Sequence, residues 1–322
     1  MVIDNSSQKR LSLLADVAEK YYLEGKDQSE IAREVGVTRS MISRMLTEAR
    51  SRGIVEIRVN RLVNSDHDLE NALRTRFGIE SVFVSAMEDS RADRLLPVLG
   101  WAGAEAFKKH LDAKSVVGVA WGTTVSAVVD AVQAVGGLSV KIIQLVGAQG
   151  AQNAEYDGHA LVSRLADKLG GEGYFLNAPC MCQTPEIAAS MRETRGIRET
   201  IEMGRQADIA LVGIGTTETE YSSFYLSGLL TEKELTIIRR NGVVGDVAGN
   251  YYYKDGSPYM DEFLSRMITI RREDLVRIPV RIGIAGGPGK VEAIRAALIS
   301  RLVNSLVTDS VTARQVLEGS SI

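Results

Sequence analysis

At 322 residues the chain is too long for one small core and fits about two domains of ~100–200 residues each. Its 45% hydrophobic and 25% charged residues, without any apolar run near the roughly 18 residues of a membrane span, exclude the membrane class. A net charge of −3 excludes a protein that coats nucleic acid indiscriminately. The start MVIDNSSQKR lacks a signal-peptide core, and two cysteines, Cys180 and Cys182, cannot build a disulfide framework. A cytoplasmic setting is the expectation.

Apolar Leu11, Leu14, Ala15, Ala18, Tyr21 and Tyr22 fall at helical spacing and predict a first helix over Arg10–Glu24. Gly25 ends it, and Asp27 is placed to cap the next. The stretch QSEIAREVGVTRSMISRMLTEA, Gln28 to Ala49, then reads as a helix-turn-helix. Ala32 is small where two helices must approach. Gly36 stands at the turn, where positive φ suits glycine. Ile31, Val35, Val37, Ile42 and Met45 point to a shared core. Thr38 can cap a second helix whose outward residues are Arg39, Ser40, Ser43 and Arg44, side chains suited to phosphates and base edges. With Gln28 at the start of the motif, these six are the candidate DNA contacts. After Gly53, residues 54–59 alternate like a strand, which completes a winged helix-turn-helix outline and brings Arg58 or Arg61 towards the duplex backbone.

Charge supports this placement. Residues 1–61 carry eleven Lys/Arg against nine Asp/Glu, and Thr38–Arg61 carries six Arg against two Glu. Positive charge is concentrated where a phosphate-contacting surface needs it, on an otherwise acidic chain. A small basic face on an acidic body implies that affinity comes from repeating the module, so a homo-oligomer is expected.

From Asn64 the texture changes. A connecting helix is predicted over 66–77, then short β-rich runs alternate with amphipathic stretches. Strands are predicted at 81–86, 115–120, 140–148, 207–215, 242–248, 281–287 and 304–309. Helices are predicted at 92–110, 123–135, 156–169, 186–206, 232–240, 289–300 and 309–318. Strands with little internal alternation, separated by helices, imply a doubly wound, largely parallel sheet covered on both faces. The expected division is 1–61 for DNA binding and 62–322 for an α/β body, with a hinge near Arg61–Asp66.

Open parallel sheets bind ligands at the carboxyl ends of their strands. Gly122-Thr123-Thr124 follows one strand and opens a helix, so its amides and hydroxyls form a candidate phosphate cradle; a plain threonine cap is the alternative. Ala285-Gly286-Gly287-Pro288-Gly289-Lys290 repeats the logic. A lysine in a first helical turn opposes the dipole unless an anion compensates. Asp246, at another strand end, offers a carboxylate to sugar hydroxyls or merely caps a turn. Gln144 interrupts an apolar strand and needs a polar partner, from ligand or backbone. Asp157 either caps its helix or touches ligand. The histidines His67, His110 and His159 do not cluster, and Cys180-Met181-Cys182 is too short for a zinc knuckle, so neither metal nor cofactor is expected. Tyr251-Tyr252-Tyr253 ahead of Lys254-Asp255-Gly256 reads as a β-hairpin.

Taken together, QSEIAREVGVTRSMISRML, GVAWGTT, IIQLVGA, ADIALVGIG, GVVGDVAGNYYYKDG and IAGGPGKVEAIRAAL with LVTDSVTA make the chain resemble, over nearly its whole length, a family of bacterial sugar-responsive transcriptional regulators. That family is typified by the sorbitol-operon regulator and includes deoxyribonucleoside and central glycolytic gene regulators. The resemblance implies a body similar to ribose-5-phosphate isomerase and glucosamine-6-phosphate deaminase that binds a phosphorylated sugar without turning it over, in a tetramer. It implies that Gly122, Thr123, Thr124 and Lys290 hold phosphate and that Asp246 is the family's acidic residue. Some members carry a glutamine near the start of the helix after the third strand; Asp157 stands there in this chain, which argues against a second phosphate at that point.

Two other readings compete with a sugar-phosphate-controlled regulator, whether repressor or activator. One is a sugar-phosphate isomerase or deaminase with an appended DNA-binding head. Its chemistry needs a general base near the sugar's C1–C2 protons. The sugar isomerases carry an acidic cluster after the strand resembling ADIALVGIG, where this chain has Gly213, Ile214 and Gly215, with Glu218 the first acid beyond. The other is a constitutive DNA-binding protein whose body only oligomerises.

Overall fold

The computed structural model describes residues 5–55, 64–87, 92–150 and 155–319. The chain divides into two compact units, Met1–Leu62 and Val63–Ile322.

The first unit holds α1 (Asn5–Tyr22), α2 (Gln28–Val35) and α3 (Arg39–Ser51). The starts of α2 and α3 each have a side-chain cap. Asp27 accepts from the Ser29 and Glu30 amides, and the Glu30 carboxylate returns the bond to the Asp27 amide, a complete capping box. Thr38 Oγ1 accepts from the Met41 amide at 3.3 Å. Gly36 ends α2 at φ 74°, a left-handed turn that a Cβ would strain. Leu14, Val17 and Ala18 of α1 close over Ile31 and Ala32 of α2 and Ile42, Met45, Leu46 and Ala49 of α3. Val35 and Val37, expected in this core, are half-buried against it, as are Ile54 and Val55. The rest of the strand expected over 54–59, with Arg58 and Arg61, lies outside the described residues.

The second unit runs α4 (His67–Phe77), β1 (Ser81–Ser85), α5 (Ala92–Lys108), β2 (Val116–Val119), α6 (Thr123–Ala131), β3 (Lys141–Gln144), α7 (Gly158–Leu169), β4 (Glu172–Tyr174), α8 (Pro185–Glu193), α9 (Arg195–Arg205) and β5 (Ile209–Thr216). It continues α10 (Ser223–Leu226), α11 (Glu232–Arg240), β6 (Val243–Val247), β7 (Asn250–Tyr253), α12 (Arg272–Leu275), β8 (Val280–Ile284), α13 (Val291–Ile299), β9 (Ser305–Asp309) and α14 (Ser310–Glu318). Seven strands form a parallel sheet in the order β1-β9-β8-β5-β2-β3-β4. Its central strands are buried almost without alternation, as strands covered on both faces must be.

β5 does two things. Ile209–Gly213 pairs in parallel with Val280–Ile284 of β8, and Ile214–Thr216 then pairs antiparallel with Val247–Gly245 of β6. β6 and β7 form a hairpin whose two-residue turn, Ala248 at φ 50° and Gly249 at φ 75°, matches the twist of the strands. The tyrosine run is thus the second hairpin strand.

The structure departs from the predicted elements in several places: the strand expected over 140–148 ends at Gln144, the short helices α10 and α12 were not expected, and three further differences have a clear local cause. The helix expected over 186–206 is two, broken at Thr194, which sits extended at φ −62° and ψ 129°. The helix expected over 123–135 ends at Ala131, where Lys168 Nζ donates to the carbonyls of Val129, Asp130 and Val132 and closes its C-terminus. β4, three residues at the sheet edge, was not anticipated, because Glu172-Gly173-Tyr174 carries no strand pattern.

Candidate functional site

On α3, Thr38, Arg39, Ser40, Ser43 and Arg44 are all exposed, and Gln28 is half-buried at the start of α2. The cations of this unit fall into two groups. Arg10 and Arg52 both reach Glu48, at 2.6 and 2.9 Å, while Lys20 and Lys26 both reach Glu34, at 2.7 and 2.8 Å. Lys20 and Lys26 together hold the Glu34 carboxyl down at about 2. Among the described residues, Arg39 and Arg44 have no such carboxylate. Their charge faces solvent, as a phosphate-binding surface requires. Met41, 45% exposed on the same helix, escaped the sequence reading; an apolar side chain there can meet a thymine methyl.

In the second unit, β2 is followed by strands that extend the sheet one way, β3 and β4, whereas β5 is followed by β8 and β9 on the other side. The strand order therefore reverses between β2 and β5, the place where open α/β sheets open a crevice. A cavity of about 590 Å³ lies there. Its wall comes from Trp121–Thr124 after β2, Gly213–Gly215 of β5, Asp246 and Ala248 of the hairpin, and Ala285–Pro288 with Lys290 after β8. Leu95, Leu96 and Leu99 of α5, Val146, and residues of the 220–226 segment including Glu220, Tyr221, Phe224 and Leu226 complete it.

Five sequence candidates thus share one cavity: Gly122, Thr123, Thr124, Asp246 and Lys290. Gly122, at φ 142°, is the N-cap of α6 and provides no side-chain cap, so first-turn amides are left for another acceptor. Thr124 is less free than its motif suggests: its hydroxyl donates to the Ile284 carbonyl at 3.2 Å. Lys290 Nζ donates to the Ile214 carbonyl at 2.9 Å. No carboxylate lies within ion-pair reach of it among the described residues. Burial pushes its ammonium down to about 8, against the opposing pull of Asp246. Asp246 is buried. Desolvation raises its carboxyl to about 6, offset by the Gly249 amide, which donates to Oδ2 at 3.0 Å, and by Lys290. Gly215 lies opposite Asp246 in register, and a Cβ there would come within 1.9 Å of the aspartate's Oδ1. Only glycine fits.

Gln144 and Asp157 are not on the cavity wall. Gln144 is buried with backbone partners: its Nε2 donates to the Val146 carbonyl at 2.8 Å and its Oε1 accepts from the Leu176 amide at 3.2 Å. Asp157 caps α7, accepting from the His159 amide, and accepts from the Gln149 amide at 2.8 Å. In both cases the backbone alternative accounts for the side chain. Glu218, the acid weighed as a catalytic base, pairs with Arg239 at 3.0 Å and is also off the wall. The α5 leucines and the 220–226 segment were missed because a leucine cluster at helical spacing reads as ordinary core.

Among the described residues no three His, Cys, Asp or Glu side chains converge as for a metal, and no helix is long and apolar enough to cross a membrane.

Comparison with known proteins now bears on this geometry. The family model described as "Putative sugar-binding domain" matches residues 62–318. A Transcriptional regulator LsrR of Enterobacter sp. is 30% identical over 95% of this chain and 92% of its own. The Sorbitol operon regulator of Klebsiella pneumoniae is 27% identical over 98% of this chain and 100% of its own. The crystal structure of the full-length regulator SorC from Klebsiella pneumoniae superposes with a TM-score of 0.74 at 27% identity, covering 96% of this chain and all of that one. The chain belongs to the sorbitol-operon-regulator family of sugar-binding transcriptional regulators.

Proposed function

We propose that the chain binds operator DNA through residues 28–61, with Gln28, Thr38, Arg39, Ser40, Ser43 and Arg44 at the duplex, and that a phosphorylated sugar in the body controls that affinity. The observation carrying the effector half is the cavity itself, where the uncapped start of α6 and the Lys290 ammonium share a wall. A phosphate satisfies both, since it accepts from free amides and neutralises a half-buried cation. Asp246 accepts from sugar hydroxyls. The solvent-facing Arg39 and Arg44, which pair with no carboxylate among the described residues, support the DNA half. One relative is named as the regulator of an operon, and a homo-oligomer, dimer or tetramer, of this chain would span repeated half-sites. The effector acts by binding two quaternary arrangements unequally, because equal binding would shift nothing.

A second reading, a sugar-phosphate isomerase or deaminase, draws on one observation: Asp246, with its carboxyl raised to about 6, has the character of a general base. Against it, Gly213 and Gly215 supply no acid at the base of the cavity, and Glu218 is turned to Arg239. We assign no enzymatic activity.

The test is a titration of the DNA upstream of the chain's own gene, with and without sugar phosphates and their unphosphorylated analogues. One phosphorylated compound is expected to shift the affinity while its analogue does not. Specific DNA binding indifferent to every compound would reduce the body to an oligomerisation module. Isomerisation of a pentose or hexosamine phosphate, lost in Asp246→Asn, would favour the enzyme.

A further inference from the structure

We propose that the Asp309–Thr312 pair is the joint through which an effector in the cavity acts on the segment carrying the DNA-binding unit. This rests on the sugar-phosphate reading above and adds the residues that transmit it. Asp309 closes β9 and caps α14, and its side chain is wholly buried. Oδ1 accepts from the Thr312 amide at 2.9 Å, and Oδ2 accepts from the Thr312 hydroxyl at 2.6 Å. The same hydroxyl accepts from the Gly287 amide at 2.7 Å, and that amide also reaches Oδ2 at 3.3 Å. Gly286 and Gly287 lie on the cavity wall, in the turn that leads to Lys290. A Cβ on Gly286 would come within 2.5 Å of Asp309 Oδ2, so the carboxylate also shapes that turn. A buried carboxylate stripped of a donor bears a desolvation cost that nothing offsets. A turn drawn towards an anion on Lys290 therefore carries Asp309 with it.

The other side of the joint grips the entry to the body. Asp309 stands opposite Ser85 in the β1–β9 ladder, and Ser85 bridges antiparallel to Ser65. The Asp66 amide donates to the Val84 carbonyl at 2.9 Å, and the Ala86 amide to the Asn64 carbonyl at 2.7 Å. Ser310, next to Asp309, accepts from the Met87 amide at 3.2 Å. α14 meets α4 as well. Arg314 pairs with Asp66 at 3.7 Å, and Arg76 donates to the Leu317 and Gly319 carbonyls at 2.8 and 2.7 Å. Residues 64–66 are the chain's entry into the second unit, which begins at Val63. One hydrogen-bonded junction thus holds the effector turn on one side and the root of the DNA-binding unit on the other. Coupling between two sites needs such an element, biased by both.

Hydrogen exchange on the full chain tests this, with ribose 5-phosphate, fructose 6-phosphate, glucosamine 6-phosphate and inorganic phosphate as probes. A probe that slows exchange at residues 285–290 is expected to slow it at least threefold at 64–70 as well. Thr312→Val removes the hydroxyl and keeps the side-chain shape. With it, protection at 285–290 should persist while protection at 64–70 falls at least threefold, and Thr312→Ser should restore the latter. Protection confined to 285–290 in the unaltered chain overturns the proposal and leaves the sugar-phosphate reading standing. So does a Thr312→Val chain that responds in full. A folded Thr312→Val chain that no longer holds the probe also overturns it, since the bond would then build the site rather than transmit from it. If Thr312→Val does not fold, exchange at 64–70 in the unaltered chain decides alone. If no probe slows exchange at 285–290, the sugar-phosphate reading fails and takes this proposal with it.

Discussion

The two units of this chain handle positive charge in opposite ways. The first closes a small core of nine buried apolar residues among those described and leaves its functional cations, Arg39 and Arg44, in water. The second half-buries its functional cation, Lys290, on the wall of a cavity that also holds a fully buried carboxylate, Asp246. Exposed cations cost little stability and give an affinity that salt erodes, which suits a surface meant to find and leave a polyanion. A half-buried cation costs stability whenever the site is empty and is screened far less, which suits discrimination among small anions. Function is thus nearly free for the fold of the first unit and is built against the fold of the second.

The contrast can be broken most severely at the first unit's core. Ile42→Ala removes a fully buried side chain from a core too small to relax around it, with an expected loss of about 2–5 kcal/mol. Operator binding should disappear in a mobility-shift titration while calorimetric binding of a sugar phosphate persists; loss of both would show that the units do not act separately. Next, Lys290→Ala should weaken the effector by about 2–3 kcal/mol, the scale of a hydrogen bond to a charged group, with DNA affinity in the absence of effector unchanged. In the unaltered chain, effector affinity should hold between about pH 7, above the phosphate's second ionisation, and pH 8, and fall as pH rises through about 8, where the Lys290 ammonium loses its proton. A flat profile across that range would remove Lys290 from the site.

Arg44→Ala should cost operator binding about 1–3 kcal/mol and relax the preference at one base pair if it reads a base edge. If it holds a phosphate, binding should weaken on every sequence, with a shallower salt dependence. No change on either count would displace the recognition face from α3. The smallest expected effect has the opposite sign. Asp246 has a folded-state carboxyl raised to about 6 from 3.8, so its ionised form is penalised in the fold. Asp246→Asn should therefore stabilise the empty protein by about 1–2 kcal/mol above pH 6, and the gain should shrink as pH falls from about 6 and vanish only below about 3.8, where the native aspartate is protonated in both states. Thermal denaturation at the two pH values measures this. A destabilised variant at pH 7.5 would mean that the Gly249 hydrogen bond outweighs the desolvation.

Much of this was legible from residue order because the deciding interactions are local. Asp27, Gly36 and Thr38 act within one turn of themselves, so the α2–α3 geometry follows from neighbours in sequence. Gly122 and Lys290 each mark a strand-to-helix turn, and a parallel sheet brings such turns to one edge whatever the strand order. What was not legible depends on contacts between distant segments. Gln144 is satisfied by Leu176, 32 residues away, and no local pattern distinguishes that partner from a ligand. The Asp157 carboxylate is likewise taken by the Gln149 amide. Thr194 breaks a helix that propensity alone would continue, and the α5 leucines look like any buried stripe until the cavity beside them is seen.

The close fit between Gly215 and Asp246 has an evolutionary consequence. A side chain at position 215 would collide with the aspartate, and one at 213 would press within 3.3 Å of the Thr124 hydroxyl. A carboxylate introduced at 215 therefore has to displace Asp246, whereas one at 213 asks the Thr124 hydroxyl to give by only a few tenths of an ångström, so the two glycines do not constrain the base of this cavity equally.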